Sequence, residues 1–472
     1  MSLLIWRRRD TLSLHRFSGQ PIPRPPIFMA NTNFIAADEG RVLSEAERGM
    51  ATSNSHQPTV SRQEDLHPLL LAEIYLQERY LFEVNQLTNR MEMAARPADG
   101  MEPAREAFHP IDKRRMRELM MELLRAGIDV GNVTRLEVVI DNALAPSFHP
   151  VLRYLSNLPE WDGRDRIGEL FGQMTDDKWE AEVLHRAFLA TVAQMAERQQ
   201  PYANELCPVL ISRVQGWGKS KSIRRLLPPE LDSFFCESFN LANEDQCLRR
   251  MASYVLISLD ELDHLSDKRL ALLKSLIQMS QVKVRKMYGE WMEIKPRLCS
   301  FWASTNKRYV LRDTTGSRRF FPVMLKHSLD LSQSIDHPQL YAQALRELDE
   351  GQRTWFTTEE NMLIEAHNRP FCASLQLKHL METRFERVDH IPHDCGEYYA
   401  KQFGLLTAAD IFAELQQADA ELMEGYCEGR FGETLKQMGF IGIHTKNRRY
   451  YNVRRRSAAS SPDDDLLQEY AS

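Results

Sequence analysis

Short apolar runs alternate with helical patterns along the middle of this chain. The runs at residues 209–211, 254–263 and 298–306 predict three buried strands, and the last two end in polar side chains. Apolar residues recur at helical spacing in several longer stretches. These stretches are residues 67–80, 112–126, 179–197, 219–227, 270–277, 346–368, 407–415 and 430–439. Buried strands followed by helices are typical of an α/β fold, so we predict an α/β core.

Changes in composition divide the chain into five predicted parts. These are a disordered or linker arm (1–65), a mostly helical domain with a short strand at 79–85 (66–165), the α/β domain (166–345), a C-terminal helical domain (346–456) and a disordered acidic tail (457–472). The first 28 residues are basic and loosely resemble a transit peptide, but we favour Met29 as the true start.

Composition indicates a soluble, reduced, cytoplasmic protein. Of the 472 residues, 43% are hydrophobic and 27% are charged, as in globular domains. No window approaches the ~18 uninterrupted apolar residues of a membrane span. The seven cysteines form no Cys-x-x-Cys pair, which argues against a disulfide framework or a zinc site. The net charge of −6 excludes a uniformly basic surface but leaves room for local basic patches.

A glycine-containing turn follows the first strand and opens a helix. It consists of Gln215, Gly216, Trp217, Gly218, Lys219, Ser220 and Lys221. Glycines let backbone N–H groups approach phosphate oxygens, and the helix N-terminus adds the positive end of its dipole. Lys219 would reach the β- and γ-phosphates of a nucleotide, and the Ser220 hydroxyl would ligate Mg²⁺. The alternative is an ordinary strand–turn–helix, and the full pattern has a glycine where this chain has Arg213.

Polar residues end the next two strands. Asp260 is predicted to hold Mg²⁺, and Glu261 to activate the attacking water as general base. Asn306 is predicted to orient that water or to sense the γ-phosphate. Adjacent carboxylates are also common at solvated strand ends, but their order after the Gly-Lys-Ser turn favours a phosphate site.

Two arginines follow a Gly-Ser turn further along the chain. Arg318 and Arg319 suit stabilisation of transition-state charge, including from a neighbouring subunit, and the sequence does not choose between them. The alternative is a structural salt bridge.

Two basic segments are predicted to contact nucleic acid. Residues 282–295 predict a hairpin in which Lys283, Arg285 and Lys286 alternate with aromatic residues that suit base stacking. Residues 441–456 predict a basic two-stranded element after two helices, which is typical of a winged-helix DNA-binding module. Its phosphate contacts would come from Lys446, Arg448, Arg449 and residues 454–456. For both segments the alternative is an exposed hairpin with solubilising charges.

The succession of motifs resembles the virulence-associated protein E family of P-loop ATPases. The motifs are Leu-Pro-Glu-Trp-Asp-Gly (158–163), Gly-Trp-Gly-Lys-Ser (216–220), Leu-Asp-Glu (259–261), Ala-Ser-Thr-Asn (303–306) and Thr-Gly-Ser-Arg-Arg-Phe-Phe-Pro-Val (315–323). The resemblance runs from about residue 66 to 456 and looks most like the branch found in Bacteroidetes genomes and their mobile elements.

This family is similar to superfamily 3 helicases, whose AAA+-like cores assemble in rings and whose hairpin before the sensor strand contacts single-stranded DNA. The resemblance therefore implies a P-loop ATPase domain at 166–345 with ATP and Mg²⁺ as cofactors. It also implies single-stranded DNA in the ATPase channel, a homo-oligomer such as a hexameric ring, and primase or other replication proteins as partners.

The resulting hypothesis is a Mg²⁺-dependent ATPase coupled to DNA remodelling or unwinding, in replication of a mobile element or phage. Two alternatives stay open at this point. One is a nucleotide-binding switch that binds DNA or a protein without sustained turnover. The other is a DNA-binding regulator whose ATPase core is a remnant.

Overall fold

The computed structural model describes residues 66–98, 101, 103, 107–198, 202–260, 262–285, 292–312, 317–389 and 396–456. The predicted arm at 1–65, the acidic tail at 457–472, Glu261 and Lys286 lie outside the described residues.

Helices and strands alternate through the described ranges. The α-helices are α1 (Pro68–Arg79), α2 (Lys113–Arg125), α3 (Val133–Val139), α4 (Pro150–Ser156), α5 (Arg166–Gly172), α6 (Lys178–Met195), α7 (Lys219–Arg224), α8 (Glu244–Ser253), α9 (Asp267–Gln278), α10 (His337–Asp349), α11 (Thr358–Asn368), α12 (Ala373–Arg384), α13 (Glu397–Gln402), α14 (Ala408–Ala418), α15 (Ala420–Met423) and α16 (Phe431–Gln437). The strands are β1 (Tyr80–Asn85), β2 (Arg90–Ala95), β3 (His109–Pro110), β4 (Ser147–Phe148), β5 (Cys207–Ile211), β6 (Phe235–Cys236), β7 (Leu256–Asp260), β8 (Gln281–Arg285), β9 (Met292–Pro296), β10 (Ser300–Thr305), β11 (Phe320–Met324), β12 (Phe385–Arg387), β13 (Leu406–Thr407), β14 (Gly442–His444), β15 (Arg449–Tyr451) and β16 (Val453–Arg455).

Residues 66–156 combine helices α1–α4 with a four-stranded sheet of order β3-β2-β1-β4. Strand β1 pairs antiparallel with β2 and parallel with β4. Helix α2 begins where the side chain of Asp112 accepts the N–H of Arg115 at 2.7 Å, which is an N-cap. Its buried residues Met116, Leu119 and Leu123 join the core beneath the sheet. The sequence predicted only β1 here: β3 and β4 have two residues each, and β2 has no β-branched or aromatic residue to mark it as a strand.

The central sheet has five strands in the order β11-β5-β10-β7-β6, and all of them are parallel. One face packs against a core that includes residues of α5, α6, α7 and α10, and the other against a core that includes α8 and α9. Parallel strands covered on both faces are buried throughout, as β5 and β10 are. The predicted α/β class is confirmed as a mixed fold with a parallel sheet and many helices.

The parallel order fixes which residues share an edge of this sheet. Phe320 pairs with Cys207 at the start of strands β11 and β5, and Met324 pairs with Ile211 at their end. The carboxyl ends of β5, β7 and β10 therefore meet at one edge. The segment that precedes β11 lies at the opposite edge.

Strands β8 and β9 form a separate antiparallel ribbon, as the sequence predicted for residues 282–295. Val282 and Val284 point into the core, whereas Lys283 and its cross-strand partner Ile294 are exposed. One face of the ribbon is thus anchored and the other is open to solvent.

The C-terminal region packs helices α12 and α14–α16 around a core closed by Tyr451 and Val453. Thr407 and Asp410 form a capping box at the start of α14, which confirms the predicted capped helix. Strand β15 pairs with both β13 and β14, and β16 pairs with β12. The predicted two helices followed by a hairpin are therefore found at α14, α16 and β14–β15. How the chain divides into domains stays a prediction.

None of the described helices is long and apolar enough to cross a membrane. Among the described cysteines, six are free thiols and Cys427 alone is exposed; Cys395 lies outside the described residues.

Candidate functional site

A tight turn joins the end of β5 to the start of α7. Gly216 and Gly218 adopt φ angles of 83° and 84°, in the left-handed region that favours glycine. A Cβ atom on Gly218 would lie 3.0 Å from the Cδ1 atom of Leu331, so the chain also passes close to this position. The predicted glycine turn is therefore present, with Lys219 as the first residue of the helix. This helix ends at Arg224 rather than at residue 227, because the last residues before Pro228 form turns.

The Lys219 side chain is buried beneath this turn. Its ammonium group donates to the side-chain oxygen of Asn306 at 2.6 Å and to the Ser212 carbonyl at 3.4 Å. Burial lowers the pKa of Lys219, and the charge of Asp260 opposes this effect. The end of β5, the start of α7 and the end of β10 therefore converge on one cation.

A carboxylate and two hydroxyls meet next to this lysine. The hydroxyls of Ser220 and Ser304 donate to the same Asp260 oxygen, at 3.0 and 2.7 Å, and lie 3.2 Å apart. Ser220 belongs to α7, Asp260 to β7 and Ser304 to β10, so the parallel sheet places the three at its carboxyl edge. Ser304 was not predicted as a site residue, although it lies two residues before Asn306 in the Ala-Ser-Thr-Asn motif.

A second acidic group extends the polar row. The Thr305 hydroxyl donates to Asp263 at 2.6 Å, and the ammonium of Lys307 lies 3.6 Å from the other Asp263 oxygen. The sequence analysis also missed these residues, since only the strand-end carboxylates at 260 and 261 matched a motif.

The donor set fits a small hard cation. Asp260, Ser220 and Ser304 offer one carboxylate and two hydroxyl oxygens, and Mg²⁺ prefers oxygen ligands and keeps other positions for phosphate and water. The described residues contain no cluster of three or more His, Cys, Asp or Glu side chains that would hold a metal by themselves. A metal here would therefore depend on oxygens from a bound phosphate.

A cavity of about 170 Å³ opens beside the glycine turn and α7. Its wall includes Ser222 from α7 and Leu331, the residue that contacts Gly218. A backbone hydrogen bond from Leu329 to the Trp217 carbonyl at 3.2 Å holds the 329–335 segment over the turn. The apolar lining consists of Leu170, Met174, Leu329, Leu331, Ile335 and Leu340.

The two candidate arginines lie away from this edge. Arg318 and Arg319 form a short 3-10 turn directly before β11, at the opposite edge of the sheet from Lys219. Burial, reinforced by the charge of Arg318, lowers the pKa of Arg319. Both line a cavity of about 490 Å³ together with the exposed rings of Tyr202 and Trp355. The structure therefore does not bring these arginines to the lysine of the same chain.

Some of the predicted nucleic-acid-binding residues are exposed to solvent, and others contact residues of the same chain. Lys283, Lys446 and Arg448 are exposed, and the side chain of Arg285 lies outside the described residues. Arg449 is half-buried, because its guanidinium covers Gly442 and lies 5.7 Å from the ring of Tyr451.

The basic run at 454–456 makes contacts within the chain. Arg454 pairs with Glu386, Arg455 pairs with Glu414 at 2.7 Å, and Arg456 donates to the carbonyl of Phe385 at 3.2 Å. Partners from distant segments cannot be read from a local run of cations. The side chains of Arg454 and Arg455 are still 52% and 60% exposed, so their contact with phosphates stays a prediction.

Arg213, the residue in place of the usual glycine, points away from the turn. Its guanidinium lies 2.8 Å from a carboxylate oxygen of Glu421 in α15. The other oxygen of Glu421 accepts the backbone N–H of Arg308 at 2.7 Å. The turn is therefore tied to the C-terminal region at this position.

Comparison with known proteins supports the predicted resemblance over the middle of the chain. Residues 155–372 match the family model described as the virulence-associated protein E-like domain. Solved structures of the NrS-1 C-terminal region (305–718) are also similar: one has a TM-score of 0.37 at 11% identity and covers 82% of this chain and 99% of that chain. An A form of the same region has a TM-score of 0.37 at 12% identity and covers 83% and 100%. No curated protein matches the chain.

Proposed function

We propose that this chain, whose residues 155–372 form a virulence-associated protein E-like domain, is a Mg²⁺-dependent ATPase that acts on DNA. The observation that carries the proposal is the convergence of Lys219, Ser220, Asp260 and Asn306 at the carboxyl edge of a parallel sheet. Ligands of open α/β sheets bind at this edge.

The chain's own groups have distinct roles in this proposal. The backbone N–H groups of the turn and of the start of α7 bind the phosphates, and Lys219 neutralises the β- and γ-phosphates. Ser220 and Asp260, supported by Ser304, would hold Mg²⁺, which supplies charge neutralisation when it is bound. Glu261 follows Asp260 in sequence and keeps its predicted role as general base.

The side-chain oxygen of Asn306 accepts the hydrogen bond from Lys219 that a γ-phosphate oxygen would accept in the complex with nucleotide. A γ-phosphate offers Lys219 a charged acceptor, which forms a stronger hydrogen bond than the neutral amide oxygen. The Asn306 side chain is then released to bind the γ-phosphate or the attacking water. This exchange gives Asn306 the sensing role predicted for it.

The cavity beside the turn suits the base of the nucleotide. It adjoins α7 at Ser222, and its apolar side chains can enclose an aromatic ring. The 329–335 segment would then contact both the turn and the base.

A second copy of the chain completes the site in this proposal. Arg318 and Arg319 lie at the opposite edge of the sheet, so they can reach a nucleotide only on a neighbouring subunit. That arrangement favours a ring-like homo-oligomer in which one of the arginines stabilises the charge of the transition state.

DNA would bind at the exposed face of the β8–β9 ribbon and at the C-terminal module. Lys283 and Ile294 offer a cation and an apolar surface on the open face of the ribbon. The order α13, β13, α14, α16, β14, β15 corresponds to a winged-helix module, with Lys446 and Arg448 on its exposed hairpin. We place the activity in replication of a phage or mobile element, with replication proteins as partners.

A nucleotide-binding switch is the second candidate, and Arg213 is the observation that favours it. An arginine tied to Glu421 replaces the first glycine of the turn, so the turn is held at one end by the C-terminal region. A turn restrained in this way could bind nucleotide and change its contacts without sustained turnover.

Steady-state ATP hydrolysis with Mg²⁺, with and without single-stranded DNA, tests the proposal on the wild type, Lys219→Ala and Glu261→Gln. DNA-stimulated turnover that both substitutions abolish supports the ATPase. Nucleotide binding without turnover in the wild type supports the switch. DNA binding that is indifferent to ATP and to Lys219→Ala would contradict both.

A further inference from the structure

We infer that Glu421 is a positioning residue that transmits the state of the C-terminal module to the nucleotide site; the inference rests on the function proposed for that site. Its carboxylate bridges two segments. One oxygen lies 2.8 Å from the guanidinium of Arg213, ahead of the glycine turn, and the other accepts the N–H of Arg308 at 2.7 Å. Arg308 follows Asn306 by two residues, so one side chain contacts both sides of the candidate site.

Glu421 is part of the C-terminal module. It lies in the first turn of α15, whose neighbouring residues Leu422 and Met423 are buried in the core shared with α14 and α16. Asp419, the N-cap of α15, accepts the hydroxyl of Tyr309 as well as the N–H of Leu422 at 2.9 Å. The ring of Tyr309 also packs against this core. The carboxylates of Asp419 and Glu421, at the start of one helix, therefore hold the segment that follows Asn306.

The contacts explain why Arg213 replaces a glycine. Glycine would leave the start of the turn without a side chain, whereas arginine reaches across to α15. An isolated ion pair with an arginine that is 59% exposed is weak, because solvent screens its charge. Glu421 is only 24% exposed and has a second, charge-assisted hydrogen bond, so the two bonds act together rather than singly.

The arrangement predicts coupling between DNA and nucleotide. DNA that binds the basic hairpin of the C-terminal module would shift α15 relative to the sheet, and Glu421 would carry the shift to residues 213 and 308 together. Coupling between two binding sites is reciprocal, so nucleotide must change DNA affinity by the same factor. We expect oligothymidylate to change the Kd of a fluorescent ATP analogue by about fivefold or more in the wild type.

Three substitutions test the pair between Arg213 and Glu421, and a fourth is the control. Arg213→Ala removes only the pair with the turn, and Arg213→Lys keeps its charge. Glu421→Gln removes the charge but keeps an oxygen that can accept the Arg308 N–H. Glu424→Gln, an exposed carboxylate one turn further along, is the matched control.

The test measures the Kd of the ATP analogue with and without oligothymidylate for each variant, and the Kd of the DNA with and without the analogue. The coupling factor is the ratio of the Kd values measured with and without the other ligand. The inference is supported if this factor falls towards 1 in Arg213→Ala and in Glu421→Gln, and falls no further in their double variant. Arg213→Lys and Glu424→Gln should keep the wild-type factor. A wild type that binds both ligands without coupling, or variants with unchanged coupling, would overturn the inference and leave the nucleotide site standing. A wild type that binds no nucleotide would overturn both proposals.

Discussion

The ammonium group of Lys219 lies 2.6 Å from the side-chain oxygen of Asn306, so the residues that follow strands β5 and β10 are joined by one hydrogen bond. Lys219 is a buried cation with a neutral amide and a carbonyl as its acceptors. This is a favourable starting point for exchange with a phosphate, because the lysine is in place before the ligand arrives.

Lys219→Met tests whether Lys219 is positioned to bind a phosphate. We expect Mg²⁺-ATP to bind about 10- to 100-fold more weakly, the loss of one charge-assisted hydrogen bond. Because burial lowers the pKa of Lys219, its charge opposes folding at neutral pH, and the variant should unfold at the same or a higher temperature. Titration with a fluorescent ATP analogue and a thermal melt measure the two effects. Lys268→Ala, an exposed lysine in α9, is the control and should change neither.

Gly218→Ala and Gly216→Ala form a matched pair on the turn. Both positions have φ near 84°, which costs a non-glycine residue about 1–2 kcal/mol. A Cβ atom at 216 meets nothing within 4 Å, whereas at 218 it lies 3.0 Å from Leu331. Chemical denaturation should therefore show a larger loss for Gly218→Ala. Adding Leu331→Ala should remove the difference when each double variant is compared with Leu331→Ala alone; if it does not, the contact is not the cause.

Asp260→Asn tests the proposed metal ligands. The amide still accepts the hydroxyls of Ser220 and Ser304 but lacks the charge, so we expect the apparent affinity for Mg²⁺ to fall by about 10-fold or more in the presence of ATP. Ser304→Ala, which removes one hydrogen bond, should have a smaller effect. Nucleotide binding measured over a series of Mg²⁺ concentrations gives both values. An unchanged Mg²⁺ dependence in Asp260→Asn would place the metal elsewhere, and Asp267→Asn in α9 is the exposed control.

Arg297 is fully buried and is predicted to contribute strongly to stability. Its guanidinium donates to the carbonyls of Leu276, Ile277 and Asn204 at the base of the β8–β9 ribbon. Arg297→Met would remove these hydrogen bonds and leave the carbonyls of Ile277 and Asn204 without this donor, at a cost of about 3–5 kcal/mol in the free energy of unfolding. Denaturant titration measures the loss, with the exposed Arg269→Met as control. A loss below about 1 kcal/mol would show that the carbonyls find other donors.

Glu360 should make stability depend on acid pH. Burial disfavours its charge, but hydrogen bonds from Arg186 and the Thr357 N–H, with the charges of Arg186 and Arg353, outweigh burial and lower its pKa to about 2. A carboxyl with a depressed pKa stabilises the fold above its unfolded pKa of about 4.3 and loses this contribution between there and about pH 2. Allowing for partial exposure, we expect about 1–2 kcal/mol. In Glu360→Gln the free energy of unfolding should depend less on pH between about 4.3 and 2. In Glu359→Gln more of this pH dependence should remain.

The sequence predicted the parts of the fold that local pattern determines. The strands β5, β7 and β10 lie in largely apolar runs, and the positive φ angles of Gly216 and Gly218 follow from the turn between a strand and a helix. Strands β6 and β11 were missed, since two residues or a run containing proline carry little periodic signal. They are strands because the sheet supplies their hydrogen-bond partners.

The residues of the candidate site could be predicted from the sequence only where they do not depend on contacts between distant segments. Asp260 and Asn306 could be found because each ends a predicted strand, but Ser304 becomes part of the site only through the register of β10 against β7. From the sequence, Arg213 is only a residue in the place of a glycine. Its partner Glu421 lies about 200 residues away, so the sequence does not reveal the ion pair. The same limit made residues 454–456 look free, because Glu386 and Glu414 lie far from them in sequence.

The position of Arg318 and Arg319 at the far edge of the sheet has a consequence for mixed assemblies. In the proposed oligomer each chain contributes Lys219 to the site at one interface and its arginines to the site at the other interface. A substitution of the lysine and a substitution of the arginines therefore affect different interfaces of the same chain. Chains with Lys219→Ala and chains with Arg318→Ala and Arg319→Ala would then rebuild one intact site wherever a lysine-bearing chain meets an arginine-bearing one. In a cell that also makes the wild type, each mutant chain would inactivate one site: Lys219→Ala would inactivate its own, and the arginine variant that of its neighbour.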